Sequence, residues 1–219
     1  MRKADSVIRL TVFGVCLILT ACTTQTQLSA VIARISPDAA PIFNLHVVSP
    51  DGTDSANAVY RSGQPRGDAE WDYLKKMGIK TVVKLNEFSS DVNESEERSL
   101  AEKYNINLIR IYMAPEDFPH NWNPWAHPDE KALMQAVETL ENRHNLPALV
   151  HCSHGKDRTG LVVAVYSVRN KKYCKDAALD EMEYYGTSSF LFGLKPMLDS
   201  PNITPSPDCT HQRVGWGEE

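Results

Sequence analysis

The stretch Ala148-Leu149-Val150-His151-Cys152-Ser153-His154-Gly155-Lys156-Asp157-Arg158-Thr159-Gly160 decides how the whole chain is read. Ala148 to His151 reads as a short buried strand. Thr159 to Asn170 is apolar on nearly every side, as a central buried helix must be. The turn between them has the composition of an anion cradle. Five residues separate Cys152 from Arg158, enough for the backbone to curl round a tetrahedral oxyanion. Gly155 admits the backbone angles such a curl demands. The amides of 153–158 can then converge as a nest, with the helix N-terminus behind them, while Arg158 grips two oxygens in fork geometry. These positive surroundings favour the ionised form of Cys152, placed beneath a cradled phosphorus as a nucleophile in line for attack.

Strand and helix signals alternate on the N-terminal side of this turn. Asp68 to Met77 predicts a helix with Trp71 and Leu74 inward and Gly78 as its stop. Ile79 to Asn86 predicts a strand with Ile79, Thr81, Val83 and Leu85 on one face. Glu94 to Tyr104 reads as a charged surface helix, and Ile106 to Met113 as a second strand. A long loop runs to His127, and Pro128 opens a helix whose stripe is Leu133, Ala136, Val137 and Leu140. Two short helices, near 176–185 and 190–198, complete the domain. The expected fold is α/β, a central, mainly parallel sheet of four to five strands flanked by helices. Ligands of such folds gather beyond the carboxyl ends of strands, which is where Cys152 falls.

The ends of the chain read differently. Residues 1–21 have a basic start (Arg2, Lys3, Arg9) and a ten-residue apolar stretch from Val12 to Ala21, the pattern of an export signal. Leu19-Thr20-Ala21-Cys22 resembles the lipobox of bacterial lipoproteins. That resemblance implies cleavage before Cys22, its lipidation, and a membrane anchor, on the periplasmic face of the outer membrane if the cell is Gram-negative; an ordinary secretory signal is the alternative. Residues 22–43 read as a lipid-anchored tether, 44–200 as the catalytic domain and 201–219 as a flexible tail. Cys174 and Cys209 can pair under export conditions.

Composition sets limits. The 219 residues suit one domain with short appendages, and 42% hydrophobic with 23% charged residues excludes a disordered chain or a polytopic membrane protein. The net charge is -5, and removal of residues 1–21, with three bases and one acid, leaves 198 residues at -7. Such a chain lacks the basic footprint of a nucleic-acid binder, so any anion must be caught by a local positive site.

His151-Cys152, five residues, then Arg158-Thr159-Gly160 is similar to the signature of the cysteine-based phosphatases. Val59-Tyr60-Arg61-Ser62-Gly63-Gln64-Pro65 and Gly78 to Asn86 resemble the opening of their atypical dual-specificity branch, so the likeness covers about 57–198. It implies a two-step phosphomonoester hydrolysis without metal or other cofactor. Cys152 attacks phosphorus; Arg158 and the loop residues Ser153, His154, Gly155, Lys156, Asp157 and Thr159 bind the phosphate. Thr159 hydrogen-bonds the thiolate or serves as a helix N-cap, and His151 orients the loop from below. Asp117, 35 positions before Cys152 in the Ala114 to Pro119 loop, is the expected general acid, with Glu116 its near rival. Asp129 is better read as favouring a helix dipole. Trp122 and Trp125, in the same long loop, either form a lid or cover the core edge. Arg61 either lines the site or pairs with a carboxylate to order the first turn.

Lys156 adds a cation to the rim and resembles basic positions of lipid- and inositol-phosphate-directed members, although Asp157 beside it can simply neutralise it. The substrate readings are a phosphoprotein, an inositol polyphosphate (the leading specific one) and a phospholipid headgroup. A catalytically silent phosphate-binding lipoprotein is the alternative outside enzymes. Rhodanese and arsenate reductase cradles fit the His151-Cys152 start and the Thr159-Gly160 end less well.

Overall fold

A computed structural model describes residues 42–48, 55–86, 94–113, 128–188 and 193–211. Along the chain come β1 (His46–Val47), β2 (Val59–Ser62), α1 (Gly67–Lys76), β3 (Thr81–Lys84), α2 (Glu94–Tyr104) and β4 (Asn107–Arg110). Then follow α3 (Glu130–Glu141), β5 (Ala148–His151), α4 (Asp157–Asn170) and α5 (Lys175–Tyr184). The strands form one sheet in the order β1-β2-β5-β3-β4, parallel throughout except where β1 runs against β2.

The expected fold class holds, and its order explains why β5 is apolar. Val150 lies between Arg61 of β2 and Val83 of β3, so β5 is an interior strand with helices on both faces. Because successive side chains alternate, Val59, Val83, Ala148 and Val150 pack beneath the α3 stripe and α4. Tyr60, Val82 and Leu149 pack against Trp71 and Leu74 of α1 and Ala101 of α2. The segment after β5 therefore leaves the sheet between two neighbouring strands, at the middle of the carboxyl edge.

Several expectations shift. The two predicted strands contract to four residues each, and Ile79 joins Val82 rather than Val83 and Leu85, because it lies two residues before β3 begins. The surface helix α2 buries Glu97 completely. The last predicted helix is a 3-10 turn, Lys195–Asp199. The packed region already includes Ile42, inside the expected tether. The tail from Pro201 is tied down as far as His211: Ile203 is buried, Cys209 is disulfide-bonded to Cys174, and Thr210 bridges to Tyr173. Residues 1–41 and 212–219 lie outside the described residues, and with them the signal, Cys22 and the rest of the tail.

Candidate active site

Cys152 follows β5 directly as a free thiol, 5% exposed. The loop runs to Lys156, and α4 opens at Asp157, which places Arg158, half-buried, in its first turn. Between them three successive carbonyls are caught from outside the loop. Ser153 O accepts from the Gln64 amide at 3.2 Å, and His154 O from Asn44 Nδ2 at 3.3 Å. Gly155 O accepts from both Asn44 Nδ2 at 3.0 Å and Arg61 Nη2 at 2.8 Å. The peptide bonds here are trans, so each N–H points opposite to the carbonyl before it. The amides of His154, Gly155 and Lys156 are thereby turned to the concave side, and among the described residues the Ser153–Lys156 amides make no hydrogen bond. A row of inward amides at a helix N-terminus is an anion site.

Gly155 is required for this curl. Its φ is +68°, and a Cβ there would lie 2.3 Å from the carbonyl carbon and oxygen of Ser62. The loop thus rests on the end of β2 with no room for a side chain.

Beneath the loop lies a buried polar network. Glu97 of α2 contacts Lys84 of β3, accepts from Gln64 Nε2 at 2.7 Å, and lies 2.9 Å from His151 Nε2. Burial pushes the Glu97 carboxyl up, but His151 and Lys84 outweigh it and hold it at about 2. Asn86 Nδ2 donates to Gln64 Oε1 at 3.2 Å and to Ser153 Oγ at 3.3 Å, joining the network to the loop. Beside it, at the carboxyl ends of β3 and β4, a cleft of about 260 Å³ is lined by Lys84, Asn86, Glu94, Arg110, Ile111 and Tyr112.

The residues expected from sequence fall into three groups. Cys152, Ser153, Gly155, Lys156 and Arg158 are together on the loop and first turn, with His154 exposed at its outer edge. Two roles change. Asp157 Oδ1 accepts from the Ser188 amide at 2.8 Å, so it fastens the segment after α5 instead of lining the cradle. Thr159 is the third residue of α4, not its cap, and its buried Oγ1 has no hydrogen-bond partner. Asp129 does cap α3, accepting from the Lys131 amide at 3.1 Å. Asp117, Glu116, Trp122 and Trp125 lie outside the described residues.

Arg61 does not pair with a carboxylate as one expectation had it; it holds Gly155 O and lies under the Tyr185 ring, 4.2 Å from its centre. Sequence reading assigned no role to Asn44, Gln64, Lys84, Asn86 and Glu97. The available signal was a lysine, Lys84, inside an apolar strand, which demands a buried acid somewhere. Among the described residues the one His/Cys/acid grouping with ligand spacing is Cys174, Cys209 and His211, and its two sulfurs are bonded to each other.

Residues 47–189 match the family model described as the tyrosine phosphatase family. Over 106 residues the chain is 32% identical to OCA1 of Meyerozyma guilliermondii, a tyrosine-protein phosphatase by name, covering 48% of this chain and 55% of that protein. It is 23% identical over 174 residues to the inositol diphosphatase DSP2 of Arabidopsis thaliana, covering 68% of this chain and 67% of that one. The chain spans about half the length of the first curated relatives it matches. Its fold is similar to the crystal structure of P. aeruginosa TpbA (TM-score 0.56, 20% identity, 77% of this chain and 89% of that one). It is also similar to the core catalytic domain of the PP-IP phosphatase SIW14 from S. cerevisiae (TM-score 0.55, 21% identity, 74% and 90%).

Proposed function

The chain belongs to the tyrosine phosphatase family, and from that membership we propose that it is a phosphoric monoester hydrolase working through a phosphocysteine. The observation that carries this reading is the row of carbonyls from Ser153 to Gly155 held outward, with Cys152 at the foot of the amides this turns inward. In the first step the Cys152 thiolate forms an S–P bond as the ester O–P bond breaks, and Asp117 gives its proton to the leaving oxygen. In the second, water attacks phosphorus, the S–P bond breaks to return the thiolate, and the Asp117 carboxylate takes the water's proton. Arg158 and the loop amides hold the three equatorial oxygens, where the charge of the transition state lies. The Thr159 hydroxyl, buried and unpartnered, is available to the thiolate as it leaves.

The substrate we favour is an inositol polyphosphate. Lys156 supports it: the ammonium sits on the loop's rim, 5.9 Å from the centre of the Phe43 ring, where a second phosphate of the same molecule can reach it. The relative DSP2 is named an inositol diphosphatase, which agrees. We further read residues 1–21 as an export signal and Cys22 as the lipidated residue of an anchored chain.

The test is release of inorganic phosphate from an aryl phosphate, with Cys152→Ser as control. Turnover abolished by the substitution supports the reading; phosphate binding without turnover by the intact chain leaves a silent binding protein. Comparing kcat/KM across phosphopeptides, inositol polyphosphates and phosphoinositides then decides the substrate class.

A further inference from the structure

Arg61 is a buried cation that the preceding mechanism does not use. It lies on β2, next to β5, with no exposed surface. Nη2 donates to Gly155 O, while Nε and Nη1 are buried without hydrogen-bond partners. No carboxylate forms an ion pair with it among the described residues. Glu181, the acid whose field reaches it, is engaged by Ser167 Oγ at 2.9 Å and Lys171 Nζ at 3.3 Å. Nη2 also lies 3.8 Å from the point a Cβ on Gly160 would occupy, so the guanidinium abuts the first turn of α4. A helix N-terminus is itself positive. The Tyr185 ring covers the guanidinium at 4.2 Å, and Glu181 offsets part of its charge. Two positive groups still meet at one buried spot with no anion hydrogen-bonded to Arg61, an arrangement that a bound anion relieves. A residue needed only to fill space would be apolar. Burial lowers the guanidinium to about 10, which leaves it charged at neutral pH. Burial and then this charge also hold His46 below its ordinary value.

We propose that Arg61 is a positioning residue of the phosphoryl site, fixing the Gly155–Lys156 peptide so that the Lys156 amide faces the bound phosphate, and adding positive charge behind it. The reason a clamp is needed is Gly155 itself. Glycine opens many backbone conformations, so the peptide after it is free to turn over unless its carbonyl is held. Asn44 holds that carbonyl from the surface and Arg61 from within. With the peptide reversed, a carbonyl lone pair replaces a donor at the oxyanion.

This inference rests on the phosphatase reading, and the experiment separates the two. Arg61→Met and Arg61→Lys are compared with the intact chain in turnover of an aryl phosphate, in burst amplitude and in affinity for tungstate. The burst counts competent sites, so kcat is expressed per site and loss through misfolding drops out. The Met variant is expected to lose about 100-fold in kcat per site, the scale of one oxyanion donor, and about tenfold in tungstate affinity. The Lys variant, with a charge and a donor on a different geometry, should fall between Met and the intact chain, about tenfold down in kcat. Unchanged kcat per site and tungstate affinity in the Met variant overturn the proposal. So does a Lys variant equal to the intact chain, should the Met variant fail to fold. No hydrolysis by the intact chain would sink the phosphatase reading instead, and the tungstate affinities would still judge Arg61.

Discussion

Gly155 shows how much one position can specify. Its left-handed φ and the 2.3 Å approach to the Ser62 carbonyl each exclude a side chain. Gly155→Ala must either push the loop off β2 or break the hold on its carbonyl. The expected result is a drop in stability of about 2 kcal/mol or more, read from urea midpoints, together with at least a 100-fold fall in aryl phosphate turnover as the amides lose register. Turnover within threefold of the intact chain would mean that the curl is not what organises the site. Asp117 calls for a different test. A general acid matters in proportion to how poor the leaving group is. Asp117→Asn should therefore slow alkyl phosphates by about 100-fold while barely affecting activated aryl esters; equal losses on both would shift the role to Glu116. The residues of the cradle were legible because their constraints are local. Cys152, Gly155 and Arg158 are bound to one turn by spacing alone. Arg61 and Gln64 reach that turn because β2 lies beside β5, and Asn44 because β1 lies beside β2, pairings that no local pattern encodes.

Elements bring distant charges together, and α2 is the instance sequence misread. Its run Glu94-Ser95-Glu96-Glu97 looks like a solvated face, yet Glu97 is the acid that neutralises Lys84 and supports His151 below the loop. The carboxyl is held at about 2 against an ordinary 4.5, since the lift from burial is outweighed by His151 and Lys84. The unfolded chain therefore binds this proton more tightly than the folded one. The stabilisation is complete above pH 4.5 and is lost as pH falls towards 2, an effect on the order of 3 kcal/mol. Denaturant midpoints across that range should fall steeply for the intact chain. Glu97→Gln should flatten the profile while being less stable at pH 7, because the buried Lys84 ammonium is left without its counter-charge; parallel profiles would refute the assignment. The disulfide between Cys174 and Cys209 ties the tail to the start of α5 and closes a loop of 35 residues, which stabilises by roughly 4 kcal/mol in the chain-entropy account. Reduction should lower the melting temperature by several degrees, and a Cys209→Ser variant should melt there with or without reductant. The tail looked loose because its composition is polar and turn-rich; as far as His211, a covalent tie and the burial of Ile203 override that composition.

At the scale of the whole chain the charge is the wrong sign for everything the chain is proposed to touch. A net -5, or -7 once residues 1–21 are removed, repels both phosphate esters and anionic lipids, so each must be engaged by a local device. For the ester it is the loop. For the membrane, the device proposed above is acylation at Cys22 of Leu19-Thr20-Ala21-Cys22; no helix among the described residues is long and apolar enough to cross a bilayer. Acyl chains contribute about 0.8 kcal/mol per buried methylene irrespective of protein charge, and more than one is needed for stable attachment. Attachment through Cys22 should therefore resist high salt, which strips proteins held by charge, and yield to detergent. In fractionated cells the intact chain is expected in the membrane pellet after a salt wash. Cys22→Ser should move it to the soluble fraction while aryl phosphate turnover per molecule stays unchanged, because the cradle lies more than a hundred residues further along the chain. A Cys22→Ser chain that still sediments with membranes in high salt would show that something other than acylation at that residue holds it there.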